Sequence, residues 1–294
     1  MKMIVATRGS TLALTQTETA CHWIQNHIPE MECSFSIIHT KGDKDRITPL
    51  HKMSSNGVFI KEVEQALLSK QADIAIHSAK DLPSHLADGL TLLPVTIHED
   101  ARDVLLTKDH CSFHNLKENA IIATSSIRRM ACLHANRPDI RFVNIRGNID
   151  TRFKTFMESD YDGMILAAAG LKRLGKAEVI DEYLSPSLCI PACGQGSLAI
   201  EIRTEDKEKF AAVFALEETF EDKRLRLARE FLVLSKADCH SPTGFYLEKE
   251  DNKIHVHAMH GKDTDHCAFA HFTIEENKLE QSPAMAWDKL RGMR

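Results

Sequence analysis

The sequence predicts an α/β protein of more than one domain, ending in a smaller α+β region. Three observations carry that prediction. Up to about residue 205, short apolar strands alternate with helical patterns, the signature of sheets covered by helices on both faces. After that point the alternation gives way to a long charged helical stretch and then three strands in succession. The chain has 294 residues, more than one hydrophobic core usually organises.

The elements follow in order. Ile4-Val5-Ala6 reads as a strand, and Arg8-Gly9-Ser10 leads from it into a helix through Ala20 and Trp23. Phe35 to His39 is the next strand. A polar segment, Lys41 to Gly57, precedes a helix carrying Val58, Ile60, Val63 and Leu67. Strands follow at Asp73–Ile76, Leu90–Leu93 and Asp103–Leu106. Ile121-Ile122-Ala123 leads through Thr124-Ser125-Ser126 into a helix, and Phe142–Ile145 leads through Arg146-Gly147-Asn148 into another. Met164–Ala167 and Ser197–Ile202 complete this set, which the alternation predicts to form mainly parallel sheets. A charged helix is expected from about Phe210 to Ser235. Strands are expected near Phe245–Leu247, Ile254–Met259 and Ala268–Ile274, then a helix holding Met285, Trp287 and Leu290.

Composition excludes several classes. Apolar residues make up 43% and charged residues 27%, ordinary for a globular protein. Met3–Ala6 is too short for a signal-peptide core, and Met164–Leu171 falls far below membrane-spanning length. Eight cysteines without tight pairing point to reduced thiols and a cytoplasmic protein. A net charge of −5 lends no support to a nucleic-acid partner.

Against that acidic balance, cations gather where strands run out. Ser78-Ala79-Lys80-Asp81 follows the apolar run Ile74–Ile76, at the kind of sheet edge where open α/β proteins bind ligands. Arg8, Arg128 with Arg129, Arg146, Arg152 and Arg173 crowd similar places. Three junctions, Thr7–Ser10, Thr124–Ser126 and Arg146–Asn148, place small or capping residues at helix starts, where free backbone N–H groups bind anions. Arginine there adds bidentate recognition of carboxylate or phosphate. Ordinary caps with solvated basic residues are the plain alternative at any one junction; the recurrence favours an anionic ligand. Asp81 beside Lys80 is either a surface pair or a counter-ion for a cationic intermediate, and nearby arginines favour its ionised form.

Cys239 lies in the turn-rich stretch Ala237-Asp238-Cys239-His240-Ser241-Pro242, either an inert thiol or an accessible one assisted by His240. Pro191 between Cys189 and Cys193 spoils helical ligand spacing, and His255 with His257 reads as solvated strand histidines, so no metal is expected. The glycines form neither a dinucleotide fingerprint nor a phosphate-binding loop.

Five stretches in order resemble the porphobilinogen deaminase (hydroxymethylbilane synthase) family: His77–Pro83, Thr124–Arg129, Ile145–Arg152, Ala168–Gly175 and Pro191–Gly196. Cys239-His240-Ser241-Pro242 is similar to its cofactor-bearing Cys-x-x-Pro segment. The resemblance implies two hinged α/β domains like type II periplasmic binding proteins plus a small C-terminal α+β domain. It puts domain 1 at 1–96 with 197–214, domain 2 at 102–190 and domain 3 at 219–294. It implies a dipyrromethane cofactor attached covalently to Cys239 and held by Lys80, Ser126, Arg128, Arg129 and Arg152. Arg8, Ser10, Arg146 and Arg173 would hold substrate or the growing chain, and Asp81 with Lys80 would be catalytic. The implied reaction joins four porphobilinogen units head to tail with loss of ammonia, giving hydroxymethylbilane for tetrapyrrole synthesis. A monomer acting on a small molecule, without nucleic acid or membrane, is expected.

The chain departs from the family pattern at three places, one of them Glu217 to Glu230, which looks longer and differently charged than the family's segment. Ala237-Asp238 precedes Cys239 where the family has two glycines, and Ser54-Ser55-Asn56-Gly57 stands where it has Gly-Gly-Lys-Gly. These departures keep a divergent paralogue as a rival reading. A non-catalytic anion-binding two-lobed module is the other.

Overall fold

The computed structural model describes residues 1–38, 60–95, 97–237 and 241–293. The chain divides into two compact units, Met1–Glu99 with Ser197–Leu225, and Asp100–Gly196 with Arg226–Arg294.

The first unit is built on β1 (Lys2–Thr7), β2 (Glu32–Ile37), β3 (Ile74–Ser78) and β4 (Leu90–Leu92), joined by β10 (Leu198–Arg203). Their order is β2-β1-β3-β10-β4. Helix α1 (Thr11–His27) buries Cys21 and Ile24 on one face with Met3, Val5, Ile74, Ile200 and Ile202. Helix α2 (Lys61–Leu68) buries Val63, Ala66 and Leu67 on the other with Ala6, Ala72 and Ala75. A strand sandwiched this way is apolar along its whole length, which is why these strands read as continuous runs.

The second unit repeats the plan with β5 (Asp103–Thr107), β6 (Ile121–Ala123), β7 (Arg141–Val143), β8 (Gly163–Ala167) and β9 (Glu182–Tyr183), in the order β7-β6-β8-β5-β9. Helix α3 (Ile127–Asn136) packs Ala131, Cys132 and Leu133 on Leu105, Ile122 and Ile165. Helices α4 (Ile149–Glu158) and α5 (Ala168–Arg173) cover the opposite face through Phe156 and Leu171, against Val104, Leu106 and Met164.

Both sheets are mixed rather than mainly parallel. β1 runs parallel to β2 and β3, and β6 to β7 and β8; β10 is antiparallel to β3 and β4, and β5 to β8 and β9. β5 and β10 are the strands that begin just after the chain has passed from one unit to the other. No crossover helix within their own sheet obliges them to run parallel.

The expected helix from Phe210 to Ser235 is also broken. Thr204–Phe210 is a 3₁₀ stretch, Ala211–Phe214 a short helix (α6), and α7 starts afresh at Phe220 and ends at Ser235. Thr219 and Asp222 form a reciprocal cap. The Asp222 carboxylate accepts from the Thr219 N–H at 2.8 Å, and the Thr219 hydroxyl accepts from the Asp222 N–H at 3.2 Å. Such a cap defines a new helix start.

The C-terminal region is an antiparallel sheet of β11 (Thr243–Glu250), β12 (Lys253–Gly261) and β13 (Cys267–Glu275), with α8 (Ser282–Arg291) against β12 and β13. Phe231 of α7 stacks on Phe245 of β11 with ring centroids 4.9 Å apart and meets Trp287 of α8 edge-on. The fold class is α/β with a small α+β portion. Among the described residues, no helix is long and apolar enough to cross a membrane.

Candidate active site

Because β1 and β3 are parallel neighbours, their C-terminal ends share one edge of the first sheet. Arg8 and Ser10 follow β1 there, and Lys80 and Asp81 follow β3. Ser10 caps α1 by accepting from the Ala13 N–H at 3.3 Å. Ala79–Asp81 form one 3₁₀ turn, tied down by Ala79 N–H to the Ser197 carbonyl (3.0 Å) and by Leu82 N–H to the Ala79 carbonyl (3.2 Å). The Ser78 hydroxyl accepts from Gln16 of α1 at 3.0 Å. The turn thus presents an exposed Asp81 carboxylate and a half-buried Lys80 on a fixed backbone.

The second sheet does the same with β6, β7 and β8, which also run parallel. Ser126 after β6 caps α3, accepting from the Arg129 N–H at 3.4 Å. Asn148 after β7 caps α4, accepting from the Thr151 N–H at 2.8 Å. Gly147 beside it has φ +108°, and a Cβ there would lie 2.8 Å from the Thr151 side chain, so the junction demands glycine. Arg146 is half-buried at this junction, and Arg152 folds back to donate to the Gly147 carbonyl at 2.7 Å. Arg173, the last residue of α5, donates to the Gly196 carbonyl at 2.5 Å.

Arg128 and Arg129 differ from the other cations. Both are buried, and the carboxylate they meet is the chain's own Asp103, which is fully buried at the start of β5. Arg128 Nη1 lies 2.7 Å from Oδ2 and Arg129 Nη2 2.8 Å from Oδ1. Gln195 adds a hydrogen bond at 3.0 Å and the Cys189 thiol another at 3.3 Å. Burial alone would raise the Asp103 carboxyl. The attraction of the two guanidinium groups and these hydrogen bonds outweighs it and holds the group well below the usual carboxylate range. Arg128 also donates to the Ile190 carbonyl, and Gln195 to that of Ala101, so the network pins the Pro191–Gly196 segment. Two guanidinium groups and one carboxylate leave the network one net positive charge.

Sequence reasoning overlooked Asp103 and Gln195. The signal was present in Asp103 itself, a carboxylate opening an apolar strand, since a buried charge requires partners. Cys239, Asp238 and the segment holding Lys52, Ser54, Ser55, Asn56 and Gly57 lie outside the described residues. The seven described cysteines are free, and among the described residues no cluster of His, Cys, Asp or Glu is placed to hold a metal ion.

Comparison with known proteins bears on this arrangement. Residues 3–211 match the family model described as porphobilinogen deaminase, dipyromethane cofactor binding domain. The chain belongs to the porphobilinogen deaminase family. The porphobilinogen deaminase of Oceanobacillus iheyensis is 42% identical over 261 residues, which cover 88% of this chain and 84% of that protein. That of Lachnospira eligens is 44% identical over 250 residues, covering 84% and 85%. Among solved structures, a TRAP periplasmic solute binding protein from Desulfovibrio salexigens aligns at 11% identity over 78% of this chain and 76% of its own. Its TM-score is 0.45. The matched residues include the junctions at both sheet edges described above.

Proposed function

We propose that this chain joins four porphobilinogen units head to tail with release of ammonia, giving hydroxymethylbilane for tetrapyrrole synthesis. Membership of the porphobilinogen deaminase family carries the reading, and the fixed turn that exposes Asp81 beside Lys80 supports it. Each porphobilinogen brings an acetate and a propionate, so a growing chain accumulates carboxylates and needs cations at several points. Arg8, Ser10, Arg146 and Arg173 serve that need at the sheet edges. Asp81 offsets the positive charge left on the substrate when ammonia departs. A carboxylate already held in place for that charge costs no reorganisation, which is often the largest catalytic contribution.

The residues suit a dipyrromethane, which is itself a polycarboxylate. Ser126, Arg128, Arg129 and Arg152 would hold it, with Lys80 from the first sheet and Cys239 as the covalent attachment. The retained positive charge of the Asp103 network and the helix starts capped by Ser126 and Asn148 fit its carboxylates. When bound, the group supplies the pyrrole carbon to which the first substrate is joined. The division into domain 1 (1–96 with 197–214), domain 2 (102–190) and domain 3 (219–294) belongs to the same proposal; each range holds one of the three sheets. A cytoplasmic monomer completes it, and the free thiols suit a reducing compartment.

The test combines intact mass, acidic Ehrlich reagent and ammonia release from porphobilinogen. The expected result is a two-pyrrole mass increment that disappears in Cys239→Ser together with turnover. An unmodified yet fully active protein would overturn the covalent cofactor. A modified protein that releases no ammonia would overturn the activity and favour a divergent paralogue.

A further inference from the structure

His77 is a buried polar residue of β3, four positions before Asp81. Its Nε2 lies 3.0 Å from Oε2 of Glu201 on β10, and the Glu201 side chain is fully buried. The β3–β10 register pairs His77 with Ala199 and Glu201 with Ala75, so the bond runs diagonally across two neighbouring strands. Ala75 packs with Val63, Ala66 and Leu67 of α2, whereas Ala199 packs with Ile60 and with Ala79 and Leu82. Ala79 begins the turn that carries Lys80 and Asp81, and Leu82 closes it. That turn therefore shares an apolar cluster with the strand position opposite His77.

A second carboxyl approaches from α2. Oε1 of Glu64 and Oε1 of Glu201 are both buried without a hydrogen-bond partner among the described residues. Burial pushes the Glu64 carboxyl up and the Glu201 charge pushes it further; His77, the Ala87 backbone and Lys61 oppose them. Such a polar group inside an apolar layer stabilises less than a hydrocarbon of the same size. Its return is a single fixed geometry, since a hydrogen bond between two strands has one register and one length whereas apolar contacts tolerate sliding.

We propose that His77 is a positioning residue for the Lys80–Asp81 turn: its hydrogen bond to Glu201 fixes β3 against β10 where β3 gives way to the catalytic turn. The proposal rests on the activity assigned above to Asp81. In this role His77 is the donor, with its hydrogen on Nε2 facing Glu201.

The test uses cofactor-loaded protein, with loading verified by mass. His77→Leu removes the donor and His77→Gln restores an N–H of similar reach. The expected result is a kcat at least about tenfold lower in His77→Leu with KM changed less than about twofold, and recovery of most of that loss in His77→Gln. In the His77→Leu/Asp81→Asn double variant the two losses should not multiply, because His77 acts through Asp81. Normal turnover by Asp81→Asn would instead remove the assigned activity from this turn. A fully active His77→Leu beside an inactive Asp81→Asn would overturn the positioning role alone. Should His77→Leu fail to fold, the ¹⁵N ring shifts of His77 in the wild-type protein decide: hydrogen on Nε2 is expected, and hydrogen on Nδ1 alone overturns the proposal.

Discussion

The two five-stranded sheets repeat one topology, and each places a fully buried carboxylate on its antiparallel fourth strand: Asp103 on β5 and Glu201 on β10. Their depth differs. Asp103 pairs with Ala167, the last residue of β8, so it stands at the edge where the helices begin and two arginines of α3 reach it. Glu201 pairs with Ala75, the second residue of β3 and so towards the strand end away from that edge, where the cross-strand His77 gives its carboxylate its one hydrogen bond among the described residues. The same architectural slot thus becomes a multiply bonded ion network in one sheet and a carboxyl with a single side-chain partner in the other. Depth along the strand decides which partners are available, and the partners decide whether the charge serves to hold cations or to fix a strand.

Four variants would break or sharpen that contrast. Asp103→Asn is expected to cost the most, about 3–5 kcal/mol of unfolding free energy in urea titration, because it strands two buried guanidinium groups. The loss should appear at neutral pH and fade in acid. A carboxyl depressed in the folded protein stabilises it above its unfolded value near 3.8 and loses that contribution as pH falls through the folded value.

Asp81→Asn should leave stability nearly unchanged, since Asp81 is exposed, yet lower single-turnover ammonia release by about 10²–10³, or roughly 3–4 kcal/mol. Glu201→Gln should cost at most about 1.5 kcal/mol in the same urea titration, because an amide oxygen still accepts from His77. A loss as large as that of Asp103→Asn would erase the contrast. Glu64→Gln has the smallest effect and the opposite sign. A carboxyl raised in the folded protein contributes stability that is complete below its ordinary value of 4.5 and is lost as pH rises through the folded value. The variant should therefore melt higher at neutral pH, with the gain vanishing below about pH 4.5.

Much of the fold was legible in the sequence, because strands buried on both faces are uniformly apolar: Ile121–Ala123 was read to the residue. The helix starts at Ser10, Ser126 and Asn148 were legible because a capping side chain is a local device, and all three accept the expected N–H. Strand direction was not. Apolar runs carry no arrow, and β5 and β10 take theirs from where the chain enters each sheet. The break before α7 was readable in Thr219 and Asp222 but was masked by the run of charged helix formers on either side. The arginine positions identified the sheet edges, yet no local pattern tells a cation awaiting a ligand from one already matched inside the protein. Arg128 and Arg129 share a carboxylate of the protein itself, 25 and 26 residues away in the chain, and only the charge it leaves unbalanced remains for a ligand.

The placement of β10 also dictates an order of assembly. All five strands of the second sheet lie within residues 103–183, an unbroken stretch that emerges from the ribosome before β10 has been made. The first sheet has β10 between β3 and β4, so those two strands must wait for a partner that arrives late; His77 and Glu201 are 124 residues apart. Closing so long a loop costs only a little more entropy than a short one, but it delays the pairing. During synthesis β3 and β4 therefore stand with unpaired edges after every strand of the second sheet has been made, so the edge that will carry Asp81 acquires its shape later than the edge that carries Ser126.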